Sequence, residues 1–157
     1  MKKSLILWLI TFSSVLFAQL NTEAQKKLEY ECNSNRFNSC VTLAFDIKDS
    51  FKQVELYQKA CNDDNVGNDA LACALLAHNY YEGVSVRQDK FKAVELYQKA
   101  CNGNHGRSCY ELGTMFFHGE GVRLDKSKAL SLYGKACDLK SEIGCSNYAK
   151  LKNDGVK

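Results

Sequence analysis

Apolar positions recur along this chain with a helical period, in blocks of near-constant length. From Cys109, the residues Cys109, Leu112, Gly113 and Phe116 fall at i, i+3, i+4 and i+7, which puts them on one helix face. Gly119 and Gly121 end that helix, because glycine enters the left-handed conformations that helix ends use. A second helix follows. Asp125 suits its N-terminus, and Ala129, Leu132, Tyr133 and Ala136 form its buried stripe. We call the two kinds of helix A and B.

The A-B block is repeated. Cys73 and Cys109, Cys101 and Cys137, and Cys109 and Cys145 are each 36 residues apart. At that offset Leu76 matches Leu112, Gly83 matches Gly119 and Asp89 matches Asp125. Ala93, Leu96 and Tyr97 likewise match Ala129, Leu132 and Tyr133. Upstream, Val-Glu-Leu-Tyr-Gln-Lys-Ala-Cys at 54–61 duplicates 94–101 at an offset of 40, the four extra residues falling in the turn between Cys61 and Cys73. The unit from Cys40 to Cys61 is seven residues shorter than its counterpart from Cys73 to Cys101, and it lacks the glycine-containing loop. Both edits fall in predicted turns, where a change of length costs little.

Residues 22–32 read as a lone B helix and 142–152 as a lone A helix. A single hairpin cannot bury its apolar face alone. The all-α expectation is therefore a right-handed α/α solenoid of about three A-B units, with half-units as end caps. A small residue precedes the second cysteine of each pair (Ser39, Ala72, Ser108, Gly144), which predicts close approach of neighbouring helix backbones.

Leu112 through Ala129 match the pattern L-G-x-x-[YF]-x-x-G-x-G-V-x-x-D-x-x-K-A. On these residues the chain resembles the Sel-one-like repeats, relatives of the tetratricopeptide repeat. The cysteine pair in each unit is similar to that of the Helicobacter cysteine-rich protein (Hcp) family, secreted proteins of this repeat type. The likeness spans essentially the whole chain after the leader. It departs in the first unit, which lacks the glycine loop, and in the second, where Ser85 replaces a glycine.

Eight cysteines allow 105 pairings. In one continuous helix, residues eight apart would be separated by about 12 Å, beyond the roughly 7 Å Cα limit of a disulfide. A turn between them brings helix B back beside the next helix A. The predicted pairs are therefore Cys32–Cys40, Cys61–Cys73, Cys101–Cys109 and Cys137–Cys145, one at each repeat junction. In the chain-entropy account each contributes on the order of 2.5 kcal/mol. Neither the C-x2-4-C spacing of zinc sites nor the C-x-x-C of redox sites occurs, so the thiols read as structural, with no metal.

Met1 to Ala18 has the layout of a secretory signal peptide: a basic head, an apolar run and a small residue at the end. Residues 19–157 then form one repeat domain, expected in the periplasm or secreted, where disulfides persist. The absence of proline suits a helical chain. The formal net charge is +3, and falls to +1 without Lys2 and Lys3. That balance predicts neither a nucleic acid nor an anionic membrane surface as partner, and no stable membrane insertion is expected once the leader is removed.

The catalytic motifs G-x-S-x-G, H-E-x-x-H and the P-loop are absent. His78 and His118 lie near A-helix ends and His105 in a turn, and all three read as surface residues. The Hcp resemblance implies slow hydrolysis of penicillin-like compounds. No S-x-x-K or K-T-G is present, however, so no catalytic residue can be assigned and a β-lactamase reading rests on resemblance alone. No cofactor is implied.

The other class is a binding scaffold, because A helices line the concave surface of such solenoids. Tyr110, Thr114 and Phe117 form a second stripe, about a quarter-turn from the buried one, and His78 and Tyr81 are counterparts one unit earlier. Aromatic anchors beside polar groups suit recognition. The competing reading is that Tyr81 and Phe117 pack on the neighbouring loop. Tyr57, Tyr97 and Tyr133 fall at the repeat's own core position. The expected partner is a protein or peptide, or a cell-envelope component. A β-lactam or peptidoglycan-related compound is a further candidate.

Overall fold

The computed structural model describes residues 22–34, 37–47, 50–62 and 69–157. The expected leader, and the insertion in the turn before Cys73, lie outside the described residues. Within them the regular structure is all helical: α1 (22–33), α2 (Phe37–Asp46), α3 (Ser50–Asn62), α4 (Ala70–Glu82), α5 (Lys90–Asn102), α6 (Gly106–His118), α7 (Lys126–Asp138) and α8 (Glu142–Asn153). The A helices are α2, α4, α6 and α8; the B helices are α1, α3, α5 and α7. No described helix is long and apolar enough to cross a membrane.

Local chemistry sets the boundaries. Asp89 and Asp125 cap α5 and α7, their carboxylates accepting from the Lys92 and Lys128 N–H groups at 3.0 and 2.8 Å. α4 and α6 end on Gly83 and Gly119 in the left-handed conformation (φ 75° and 72°). Two residues on, Gly121 has φ 64° and Ser85 has φ 62°. The second loop thus keeps the shape of the third despite its missing glycine, with Ser85 held in a region that disfavours a Cβ.

His105 is not the surface residue that the sequence predicts. It is half-buried and caps α6, with Nδ1 accepting from Ser108 N–H at 3.3 Å and lying 2.8 Å from Ser108 Oγ. Asp69 and Ser141 fill the same role at α4 and α8. The tight B-to-A turn carries its capping residue inward, where it is shielded.

Successive helices pack on one another in chain order, and α6 reaches past α7 to touch α8. That is the α/α solenoid. One core runs from Cys32 to Ala136, and a smaller one of Ala129, Tyr133 and Leu151 closes the C-terminal end. The B stripe is buried as predicted. On α6 the buried face is wider than the predicted stripe: Ser108 and Met115 join Cys109, Leu112 and Gly113, while Phe116 is only half-buried. The cause is that α6 packs between α5 on one side and α7 on the other.

All four predicted disulfides form, with Cα–Cα distances of 4.7, 4.8, 4.7 and 4.4 Å in chain order. Each joins the last turn of a B helix to the first turn of the next A helix. At the last junction the residue before the second cysteine has no room for a side chain. A Cβ added at Gly144 would come within 2.6 Å of the Ala136 Cβ.

Candidate ligand-binding surface

The second stripe of α6 borders a cavity of about 260 Å³ between α6, α7 and α8. Tyr110, Thr114 and Phe117 all line it, so the spacing read from the sequence does bring these three together. The floor is ordered. Tyr110 stacks on Tyr133 with ring centroids 5.7 Å apart. Thr114 Oγ1 donates to the Tyr110 carbonyl at 3.1 Å, so the Tyr133 hydroxyl, also 3.1 Å away, is left to donate to Thr114. Burial raises the Tyr133 hydroxyl pKa above its ordinary value and keeps it a neutral donor. Phe117 forms the lip, edge-on to His118 with centroids 4.9 Å apart and with Lys126 Nζ 5.6 Å from its ring centroid.

The opposite wall comes from α8, which the sequence presents only as an end cap. Asn147, Lys150, Leu151 and Asp154 line the cavity. Their i, i+3, i+4, i+7 spacing was the available signal, but nothing in one helix says what faces it. Asn147 Nδ2 donates to the Ile143 carbonyl at 2.9 Å, which leaves its Oδ1 as an acceptor at the rim. Tyr133, expected as core, is both: it is buried, and its hydroxyl edge forms part of the floor.

His78 and Tyr81 lie outside this cavity. His78 is exposed. Tyr81 borders a gap of only about 20 Å³ with Tyr97, Glu111 and Thr114, room for about one water and no more. Its hydroxyl donates to Glu120 Oε2 at 2.6 Å, and Lys90 Nζ lies 3.3 Å from the same oxygen. Hydrogen bonding to that carboxylate is the main cause pushing the Tyr81 pKa up to about 12, and the same bond lowers that of Glu120. Tyr81 thus ties α4 to the loop of the following repeat. Tyr57 and Tyr97 are buried, and burial raises the pKa of each.

The cavity offers an aromatic floor and a polar rim. Its volume is below the roughly 300–1,000 Å³ of pockets for drug-sized ligands, so it suits one bulky side chain or a small ring. The Thr114 hydroxyl is spent on Tyr110 and Tyr133, so it is not poised as a nucleophile. All eight cysteine sulfurs are held in disulfides. Among the described residues no three His, Cys, Asp or Glu side chains are grouped to hold a metal ion.

Comparison with known proteins bears on the scaffold. The family model of the Sel1 repeat matches residues 54–65, 70–105 and 106–141. No functionally curated protein matches the sequence. Among solved structures, cysteine-rich protein B of Helicobacter pylori is 30% identical over 80% of this chain and 92% of its own, with a TM-score of 0.65. A Sel1 repeat protein from Oxalobacter formigenes is 20% identical over 80% of this chain and 96% of its own, with a TM-score of 0.73. A protective antigen of uropathogenic Escherichia coli strains, which displays an SLR fold, is 22% identical over 76% of this chain, with a TM-score of 0.70. This chain spans 26% of that antigen's length. The last two likenesses concern the fold alone.

Proposed function

We propose a function from one premise: this chain belongs to the Sel1 repeat family. It is a disulfide-stapled repeat scaffold of a kind suited to protein binding, and four intramolecular disulfides fit an oxidising environment outside the cytoplasm. On our reading the protein is exported to the periplasm or beyond and captures a peptide or a cell-envelope component on its inner face. The observation that carries this reading is the preformed cavity of Tyr110, Thr114 and Phe117. An aromatic or branched side chain of an extended peptide fills it, and Asn147 and Lys150 at the rim hold the peptide's polar groups. Nothing in the cavity favours β-lactam hydrolysis over binding.

The test is selection of peptides from a displayed library on the oxidised protein, followed by titration calorimetry. A Tyr110→Ala, Phe117→Ala variant should lose about tenfold or more in affinity while keeping its helical circular dichroism. Because Tyr110 also stacks on Tyr133, the exposed Lys150→Ala variant serves as a second probe that leaves packing alone. Unchanged affinity in both variants would remove the cavity from the site.

A further inference from the structure

The edge of the solenoid where B helices begin carries a second surface, distinct from the inner cavity in residues and in chemistry. Phe91, the second residue of α5, is 73% exposed, and Leu124, just before α7, is 54% exposed. Neither is required for packing, and the repeats themselves show it. At the 36-residue offset, Ser127 stands where Phe91 does and Gln88 stands where Leu124 does. The same helix start folds with either residue, so the large apolar groups are exposed without a structural reason.

Cations surround these apolar tips. Arg87, Lys90 and Lys92 line an open groove of about 770 Å³ with Phe91 and Asp89, and the exposed Arg123, Lys126 and Lys128 flank Leu124 in sequence. The overall charge balance of the chain conceals this, because six cations are gathered at this edge against four acids, Asp89, Asp125, Glu120 and Glu82. Asp89 and Asp125 are turned onto the first turns of α5 and α7 as caps, and Glu120 is held by Tyr81 and Lys90. Glu82 is the other exposed acid at the end of α4.

We propose that this edge docks on the surface of a lipid bilayer containing anionic phospholipid, with Phe91 and Leu124 entering the headgroup–acyl boundary and the flanking arginines and lysines at phosphate level. Charge complementarity selects an anionic partner. The protruding apolar tips then select a bilayer over a soluble polyanion, which would satisfy the cations but leave Phe91 and Leu124 in water. The docking is peripheral, in keeping with described helices that are too short and polar to span.

The experiment is flotation of the oxidised protein, as recovered from the expressing cell, with extruded vesicles of phosphatidylcholine alone or mixed with phosphatidylglycerol. Mass spectrometry verifies that all samples share one N-terminus, so that any residual leader contributes equally. The expected result is co-flotation with the anionic vesicles only, weakened by salt. Phe91→Ser with Leu124→Gln, which copies the neighbouring repeats, should weaken it at least tenfold, as should Arg87→Gln with Arg123→Gln. Both variants should keep the wild-type melting temperature to within a few degrees. No flotation with anionic vesicles would overturn the proposal. So would flotation that neither variant alters, or binding to heparin without binding to vesicles.

Discussion

His105 shows how one side chain couples this fold to pH. Its Nδ1 must carry a lone pair to accept the Ser108 N–H, so only the neutral ring caps α6. Burial first, and then the charge of Arg107, lower its pKa below the ordinary value of 6.5. A depressed folded-state value means the unfolded chain binds the proton more readily. The cap's contribution is therefore full above about pH 6.5 and is lost as pH falls through the folded-state pKa. In His105→Ser, which copies the Ser141 cap of α8, the acid-sensitive part should vanish, while stability at pH 8 should change by no more than about 1 kcal/mol. Thermal melts of both proteins at pH 8 and pH 5 check this: the drop in melting temperature should be smaller in the variant, and equal drops would contradict it. Ser85 makes a second case. Held at φ 62° where the third loop has Gly121, it should gain about 1 kcal/mol from Ser85→Gly, read as a rise in denaturation midpoint.

Neither residue was legible in full. The glycine pattern marked position 85 as a departure, and only the backbone angle shows that the loop kept its shape at a local cost. Position 105 lies four before Cys109, as Asp69 and Ser141 lie four before Cys73 and Cys145. That alignment could have revealed a cap, but histidine is a rare one, and its shielding depends on how tightly the turn folds.

Helices, their glycine stops and the disulfides were the legible elements, because each depends on spacings of a few residues. The four disulfide pairs follow from the length of one turn, and the buried faces of the B helices from one stripe. What the stripe could not show was that α6 is packed on two sides, which buries Met115 and lifts Phe116 partly out. The disulfides also differ in a way spacing does not predict. Six cysteines are essentially inaccessible, whereas Cys137 and Cys145, at the end of the stack, are half-buried. Access governs thiol–disulfide exchange, so Cys137–Cys145 should open first under limiting dithiothreitol. Alkylation and peptide mass spectrometry should find label on Cys137 and Cys145 before any other cysteine. Earlier labelling of Cys101 and Cys109 would show that local opening of the stack, rather than surface access, sets the order.

At the scale of the whole molecule, the stack is a one-dimensional array in which each helix is stabilised chiefly by its neighbours. The terminal half-unit α8 closes the core through Leu151 and at the same time builds the far wall of the cavity. This is why the site was only partly legible: Tyr110, Thr114 and Phe117 share a helix and a stripe, but the cavity exists only once α7 and α8 are laid beside them. Lys126 and Phe117 stand close together, so the inner cavity and the basic edge are near neighbours on the third repeat. A map of where ligand acts must separate the two.

The most direct measurement is a set of proton–nitrogen correlation spectra of the oxidised, isotopically labelled protein, recorded during titration with a library-selected peptide. The account predicts that shifts cluster at the amides of Tyr110, Thr114, Phe117, Asn147 and Lys150, while those of Arg87, Phe91 and Lys92 stay in place. Shifts confined to 87–92, or scattered along the stack without a centre at α6 and α8, would contradict it.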